Sequence, residues 1–498
     1  MGFAGAYLLK AGTRGQLVDA VPDPRLKIIV TIPVHNESGL ERCLDSLFLS
    51  APPGSPGRKD PGSMSPREAS PLGSSPLGSN PLGSNPLGSN PLGSSPLGSS
   101  PFHAEVLILV NAAAEAPSGV LDRNRETLRE ARAWIEAHPH PSITFHAWLD
   151  HSFSAREAGV GMARKVLMDE AARRFDMAGN PGGIIASLDA DTVVDPNYLD
   201  AIVGHFEDRG PVGAGQDGAR PDGCSIYFEH PLEPEDLQAG SGDRGSRVEA
   251  FPAGVYEAIA RYELHLRYYV QAVRFTGYPY AFHTVGSAFA VRADIYCKEG
   301  GMSRRQGGED FYFIQKVAAR GNWGTCNTTR VVPSPRPSGR VPFGTGPAVE
   351  RYLETGEPLM TYHPGAFRML KVFFSDMAML GSDRDPGSIT REQPGVLARF
   401  LDEQEFGTAL LEIRANSASP ATFRKRFWRW FNMFRIMKFL HYAREYGYPD
   451  MEVGKAANIL LQHLMDDAET LGSRQKTSMN DLLLLFRHAD KITGKILE

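Results

Sequence analysis

Three short apolar runs, each closing on polar residues, leave few folds open to this chain. They are Leu26–Pro33 (LKIIVTIP), Glu105–Val110 (EVLILV) and Gly183–Leu188 (GIIASL). Their length and β-branched content read as strands buried on both faces. Between them, apolar residues recur at helical spacing. Gly39–Leu49 carries Leu40, Cys43, Leu44 and Leu47, and Gly159–Phe175 carries Val160, Ala163, Val166, Leu167 and Ala171. Leu121–Ala137 also suits a helix and Ser142–Trp148 a strand. Asp195-Pro196 reads as an N-cap with proline at the first helical position. Repeated strand–helix–strand units predict a doubly wound, mostly parallel α/β sheet. Beyond Tyr362 the pattern turns helical. The expected organisation is an α/β domain over 24–350 and a helical region over 360–498.

Between the first helix and the second strand the pattern breaks. Residues 51–70 are rich in Pro, Gly and Ser, and Pro71–Ser100 is six tandem PLGSS or PLGSN pentapeptides. Proline and glycine in every unit block helix and sheet alike. One leucine per unit offers too little apolar area to offset the entropy of ordering. A disordered insertion over 51–101 is expected, lying inside the α/β domain because strand and helix precede it and a strand follows. Loop closure costs grow only logarithmically with length, which makes such an insertion tolerable.

Composition excludes several classes. The 498 residues carry a formal net charge of -5 and are 42% hydrophobic, so nothing draws the whole chain toward nucleic acid. Four cysteines without a CxxC pair argue against a disulfide framework or a cysteine zinc site. No stretch approaches about 18 apolar residues, and the first twenty lack a leader pattern. A cytoplasmic protein is expected. Arg424–Tyr446 is basic and aromatic, with Phe423, Phe427, Phe431 and Phe434 at helical spacing. That stripe reads first as core and second as a membrane-surface face, which keeps peripheral contact with the inner face of a membrane open. Nothing in the sequence speaks to oligomeric state.

Ligands of an open α/β sheet bind beyond the carboxyl ends of its strands. There the first strand gives Pro33-Val34-His35-Asn36-Glu37, the second Asn111 and the third Asp189-Ala190-Asp191. Residues i and i+2 of an extended segment point to one side, so Asp189 and Asp191 repel unless a cation sits near them. All-oxygen donors suit Mg²⁺ or Mn²⁺. Glu309-Asp310 follows Gly307-Gly308 and opens a helix, where negative charge is favourable; it reads either as a plain cap or as a general base. His283 and Gly286 are candidates to line an acceptor site, His283 being equally a structural histidine. Arg336-Pro337-Ser338-Gly339-Arg340, followed by Gly344-Thr345-Gly346, reads as a loop able to close over a diphosphate or as ordinary surface. His363 is a candidate third metal ligand.

Taken in order, these motifs resemble the family 2, GT-A-fold inverting glycosyltransferases. The first strand with Pro33-Val34-His35-Asn36-Glu37 matches that family's P-x-x-N-E. Gly159–Arg164 matches its G-x-x-x-A-R segment, and Leu188–Asp191 its L-D-A-D. Gly286-Ser287 with Ala290-Val291-Arg292 matches its acceptor-side segment, and Gly308-Glu309-Asp310 its acidic motif. The match spans roughly 27–323 without the insertion. Asn111-Ala112 departs from the family, which usually has an acidic residue there. The QxxRW of processive synthases is missing, Gln315-Lys316 being the nearest feature, so the resemblance implies a non-processive hexosyltransferase. It further implies a UDP- or GDP-sugar donor and a glycan, lipid-linked or small-molecule acceptor. Asp191 would bind the metal, and Asp189 would contact the metal or the sugar–ribose side of the donor. Pro33, His35, Glu37 and Asn111 would line the nucleoside pocket, and Arg164 would reach the nucleotide or diphosphate. Asp310, with Glu309 beside it, would deprotonate the acceptor hydroxyl. A sugar-phosphate nucleotidyltransferase would need a glycine-rich loop after the first strand, where PVHNE stands instead. An inactive binding protein would not need Asp189, Asp191 and Asp310 together.

Deleting Pro71–Ser100 should leave the melting temperature nearly unchanged. A large drop would mean the tract packs against the domain.

Overall fold

The computed structural model describes residues 2–11, 15–52, 102–208, 220–234, 236, 250–305, 307–339, 344–466 and 478–492. Apart from its first two residues, the expected insertion at 51–101 lies outside them, as does Arg340.

The strands of the main sheet are β1 (Leu26–Val34), β2 (His103–Ala113), β3 (Ile143–Phe153), β4 (Ile184–Ser187), β5 (Val193–Val194), β6 (Gly223–Phe228), β7 (Phe289–Arg292) and β8 (Trp323–Val332). A separate two-stranded antiparallel sheet pairs β9 (Met360–Thr361) with β10 (Met451–Glu452). Around the sheet lie α1 (Gly5–Ala11), α2 (Leu40–Leu49), α3 (Ser118–Ala137), α4 (Val160–Met177), α5 (Tyr198–Glu207), α6 (Ala253–Phe275), α7 (Ala293–Lys298), α8 (Glu309–Ala318) and α9 (Thr345–Thr355). The C-terminal helices are α10 (Pro364–Ser375), α11 (Met377–Gly381), α12 (Pro386–Arg391), α13 (Gly395–Glu403), α14 (Phe406–Ala415), α15 (Pro420–Trp430), α16 (Met433–Glu445), α17 (Val453–Asp466) and α18 (Met479–Ile492).

The strand order is β3-β2-β1-β4-β7-β6-β8-β5. β1 pairs in parallel with β2 and β4, β2 with β3, and β6 with β8. β7 runs antiparallel to both neighbours, and β5 antiparallel to β8. The sheet is therefore mixed but mostly parallel, and the expected α/β class with a helical C-terminal region is the observed one. β1 sits inside the sheet and buries every residue except the half-buried Lys27. Its alternate residues serve the two faces, as the two-residue period of a strand requires. Ile28, Val30 and Ile32 meet Leu44 of α2, Leu128 of α3 and Ile202 of α5. Ile29 belongs to the opposite layer with Ala163 and Leu167 of α4 and Phe313 of α8.

Two local expectations change. The helix after Asp195-Pro196 starts at Tyr198 with Asn197 at its cap position. Asp195 does not cap it; its carboxylate pairs with Arg330 of β8, a stronger partner than one backbone amide. The strand read over 142–148 runs on to Phe153.

The C-terminal helices enclose a third core with α6. Phe367, Phe373, Phe427, Phe431 and Phe439 are among its fully buried aromatics, with Tyr268 of α6. Of the aromatic stripe, Phe423, Phe427 and Phe431 are thus core, while Phe434 is half-buried. Among the described residues no helix is long and apolar enough to cross a membrane.

α18 is fastened by a buried ionic hub. Asp490 accepts from Arg267 (2.6 Å), Gln271 (2.7 Å) and Arg274 (2.9 Å) and pairs with His283 Nε2 (2.8 Å). Glu263 accepts from Arg267 and Arg487 and takes the His230 amide. Burial would raise the Asp490 carboxyl, but His283, Arg267 and Arg274 together hold it well below the usual carboxylate range. Removing one member leaves the others charged and unpaired in the interior. Asp490→Ala should therefore cost about 3–5 kcal/mol of unfolding free energy, read by denaturant titration; a loss below about 1 kcal/mol would show that the hub contributes no net stability.

Candidate active site

The topology gathers the sequence candidates at one edge. β1, β2 and β4 are parallel, so Glu37, Asn111 and Asp189 leave the sheet on the same side. β7 runs the other way, which brings its preceding residues, Gly286 and Ser287, to that edge: Phe289 stands opposite Ser187. β8 runs with β6, so the segment after Val332 emerges there too. α4 returns from the carboxyl end of β3, and α8 leads down to the start of β8, which puts both N-terminal turns at the same edge. The tight meeting of those turns needs Gly161, where a Cβ would fall 2.1 Å from the Arg305 carbonyl oxygen.

Arg164, in the first turns of α4, is the central contact. Its side chain is only 2% exposed. Its guanidinium pairs with Glu309 and donates to Asp189 Oδ1 at 2.8 Å. Glu309 is equally buried and committed to this pair. Asp310, the next residue, accepts the Phe311 amide at 2.7 Å. Burial first, then the charge of Glu309, push its carboxyl up to about 6, while Arg164 pulls the other way. A Cβ on Gly286 would lie 2.9 Å from Asp310 Oδ2 and 3.0 Å from Arg164 Nη2, so both groups crowd against that glycine. Gly286 is held in place by its carbonyl, which accepts from Ser187 Oγ at 2.8 Å. The N-cap of α8, Gly308, has φ +69°, a left-handed conformation that glycine adopts at little cost.

Arg336 makes the second bridge. It grips Glu37 with two nitrogens, at 2.6 and 3.0 Å, and reaches Asp191 Oδ2 at 3.0 Å. Glu37 is buried and also accepts the Ser38 and Gly39 amides. The candidate loop after β8 therefore enters the site through Arg336, whose carboxylate partners sit 299 and 145 residues earlier. Its role could not be read from the sequence beyond the arginine's place in a proline-flanked loop.

The edge beside β1 and β2 is tied by amides. Asn111 is buried and donates to the Val34 carbonyl at 3.0 Å, so its side chain joins β2 to β1. His35, exposed, pairs through Nδ1 with the Asn111 carbonyl at 2.8 Å. Asn124 of α3 donates to the same carbonyl, accepts the Asn36 amide and lies 3.3 Å from His151 Nε2. Asn36 has φ +49°, a turn conformation that asparagine tolerates. Pro33 is buried within β1. Asn124 and His151 went unnoticed in the sequence, being single polar residues in a helix and a strand end.

Other candidates are engaged elsewhere. His363 is the N-cap of α10 and its Nδ1 accepts the Gly365 amide. His283 is held by Asp490, while its carbonyl accepts from Ser225 Oγ. A small pocket of about 70 Å³ lies beside it, lined by Tyr269, Val285, Phe311 and Gln315 among others.

Five carboxylates, of Glu37, Asp189, Asp191, Glu309 and Asp310, thus crowd around the guanidiniums of Arg164 and Arg336 and set up a negative field at this edge. The Cys43 thiol registers that field: burial first, then Asp191, Asp189 and Glu37, push it well above its ordinary value. The Asp189 and Asp191 side chains remain 40% and 34% exposed, so both face the cleft. Among the described residues no three His, Cys, Asp or Glu converge as a ligand set. Two cleft-facing carboxylates in a negative field fit a hard divalent cation whose remaining ligands come from a bound molecule or water.

No family model matches the chain, and no curated protein does. Solved structures are similar at low identity. A mannosyltransferase, PcManGT from Pyrobaculum calidifontis, in complex with GDP-Man and Mn²⁺, is 13% identical over 99% of this chain and 96% of its own, with TM-score 0.34. S. aureus TarS 1-349 is 8% identical over 93% of this chain and 91% of its own, with TM-score 0.29.

Gly286→Ala should push Asp310 and Arg164 apart from their present positions. Turnover should fall by roughly a hundredfold, as for an ångström-scale misplacement, with the far-UV circular dichroism unchanged. Unaltered turnover would mean the cluster is not the reactive centre.

Proposed function

We propose that the chain is a non-processive inverting glycosyltransferase that moves a hexosyl group from a UDP- or GDP-sugar to an acceptor hydroxyl. One observation carries the reading. Asp189-Ala190-Asp191 and Asp310 meet at one sheet edge, joined through Arg164, with the first pair facing the cleft and the second group partly shielded. That is the arrangement a displacement reaction needs, with one end for the departing diphosphate and one for the attacking hydroxyl.

Asp189 and Asp191 would hold Mg²⁺ or Mn²⁺, which when bound neutralises charge on the nucleoside diphosphate. Arg164 keeps Asp189 oriented and, through Glu309, fixes the first turn of α8. Arg336, already between Glu37 and Asp191, is a further cation within reach of a diphosphate at that end. Asp310 accepts the proton of the acceptor hydroxyl. That oxygen then bonds to the anomeric carbon as the bond to the diphosphate oxygen breaks on the opposite face, and the configuration inverts. Glu309 is spent on Arg164 and acts as a positioning residue. The Asn111 amide is spent on Val34, and the exposed His35 ring lies at the edge where a nucleoside would sit.

A carboxyl raised to about 6 is charged at neutral pH and becomes protonated as pH falls through that value. Transfer should therefore be lost on the acid side with a midpoint near 6, instead of near the ordinary carboxylate value of about 4. Asp310→Asn should abolish transfer while donor binding persists, measured by nucleoside diphosphate release and by calorimetry. Transfer that survives Asp191→Ala with the cation present would overturn the assigned cation site.

A further inference from the structure

The segment from Ile413 to Arg444 holds eight Lys and Arg and no Asp or Glu, in a chain whose net charge is -5. The structure separates the engaged cations from the rest. Arg414 donates to the Leu380 and Arg384 carbonyls, Lys438 to Gln404, Arg435 stacks on Trp430, and Arg444 pairs with Asp450. Arg424, Lys425, Arg426 and Arg429 remain. All four lie on α15, all are exposed, and among the described residues none pairs with a carboxylate. Each repels its neighbours, and no internal group offsets that repulsion.

The other side of α15 is already used. Phe423, Phe427 and Trp428 are buried in the helical core. The outward side is left cationic, on a convex helix and not in a groove. Such a surface suits a broad, flat, anionic partner better than a single strand, which would need walls.

The patch adjoins the candidate active site. Trp428 packs edge-on against Tyr278, and α16 follows at once. Phe434 of α16 stacks on Tyr312, two residues after Asp310, with ring centroids 4.8 Å apart. Arg305 also lies over that ring, 3.9 Å from its centroid, and Tyr312 is 38% exposed. Arg435 sits over the half-buried Trp430 at 3.7 Å. Partly exposed aromatic rings stacked with arginines are amphipathic groups of the kind that settle at a headgroup layer.

We infer that α15 docks the protein on an anionic bilayer surface, with Arg424, Lys425, Arg426 and Arg429 facing lipid phosphates and Tyr312 and Trp430 at the headgroup level. The attachment is electrostatic and leaves the apolar side of α15 in the core. It brings the start of α8 next to the bilayer, where Asp310 would meet a lipid-linked acceptor. This last step rests on the proposed transferase activity; the docking does not.

The test is co-sedimentation of the full chain with vesicles of phosphatidylcholine alone or with about 30% phosphatidylglycerol. Binding should require the anionic lipid and vanish near 0.5 M salt, where screening is almost complete over about 4 Å. Replacing the four cations together (Arg424→Gln, Lys425→Gln, Arg426→Gln, Arg429→Gln) should weaken partition by roughly a thousandfold. The set with lysine at all four positions should keep it. Because these side chains are exposed, an unchanged melting temperature will show that the variant folds. Equal binding to neutral vesicles, no binding to anionic ones, or binding only to a soluble polyanion such as heparin would each overturn the inference. The assay needs no turnover, so its failure is separate from failure of the transferase reading.

Discussion

A single buried guanidinium organises the candidate site. Arg164 cannot reach water, and a buried charge is tolerated only when paired and hydrogen-bonded. Its two partners come from different parts of the chain, Asp189 at the end of β4 and Glu309 at the start of α8. The pairing therefore binds the strand edge to the helix that carries Asp310. In the proposed reaction it would also fix the spacing between the donor end at Asp189 and the base at Asp310. Gly286 is small because Arg164 and Asp310 leave no room for a side chain there, and Gly161 because the Arg305 carbonyl stands in the way.

The same physics recurs deeper in the molecule. Asp490 and Glu263 gather cations from α6 and α18 together with two histidines. Apolar packing alone would hold α18 against the helical core in several registers. A network of directional contacts selects one, because each alternative strands a buried charge. His283 connects this hub to the segment ending at Gly286, so the helical region and the sheet edge are mechanically joined. Arg336 adds a third bridge, between Glu37 and Asp191, from the loop after β8.

Much of the sheet was legible before any coordinates. β1, β2 and β4 were marked by dense β-branched runs, and α2, α3 and α4 by apolar residues at helical spacing. What escaped was the antiparallel β7, the long α6 and the extension of β3, whose mixed patterns lack a clean period. Asp195 was misread as a cap because Arg330, which binds it, lies 135 residues away. At the site, Asp189, Asp191, Glu309 and Asp310 stood out as acidic residues at element ends. Arg336 was marked only as part of a loop able to close over a diphosphate, and Asn124 and His151 were not marked at all, since nothing local distinguishes one asparagine or histidine from another.

The sequence by itself determined which segments become buried strands, and that acidic residues stand where strands end and helices begin. Burial periodicity and terminus chemistry act over a few residues, so a linear pattern suffices to express them. Only the tertiary structure decided that Arg164 is shared by Asp189 and Glu309, that Arg336 closes on Glu37, and that the Asn111 amide ties β2 to β1. Those outcomes depend on strand order and on the reversal of β7, which bring residues from more than a hundred positions apart to one edge. Pairing there is chosen by the cost of leaving a charge unsatisfied out of water, and that cost exists only once the chain has folded around it.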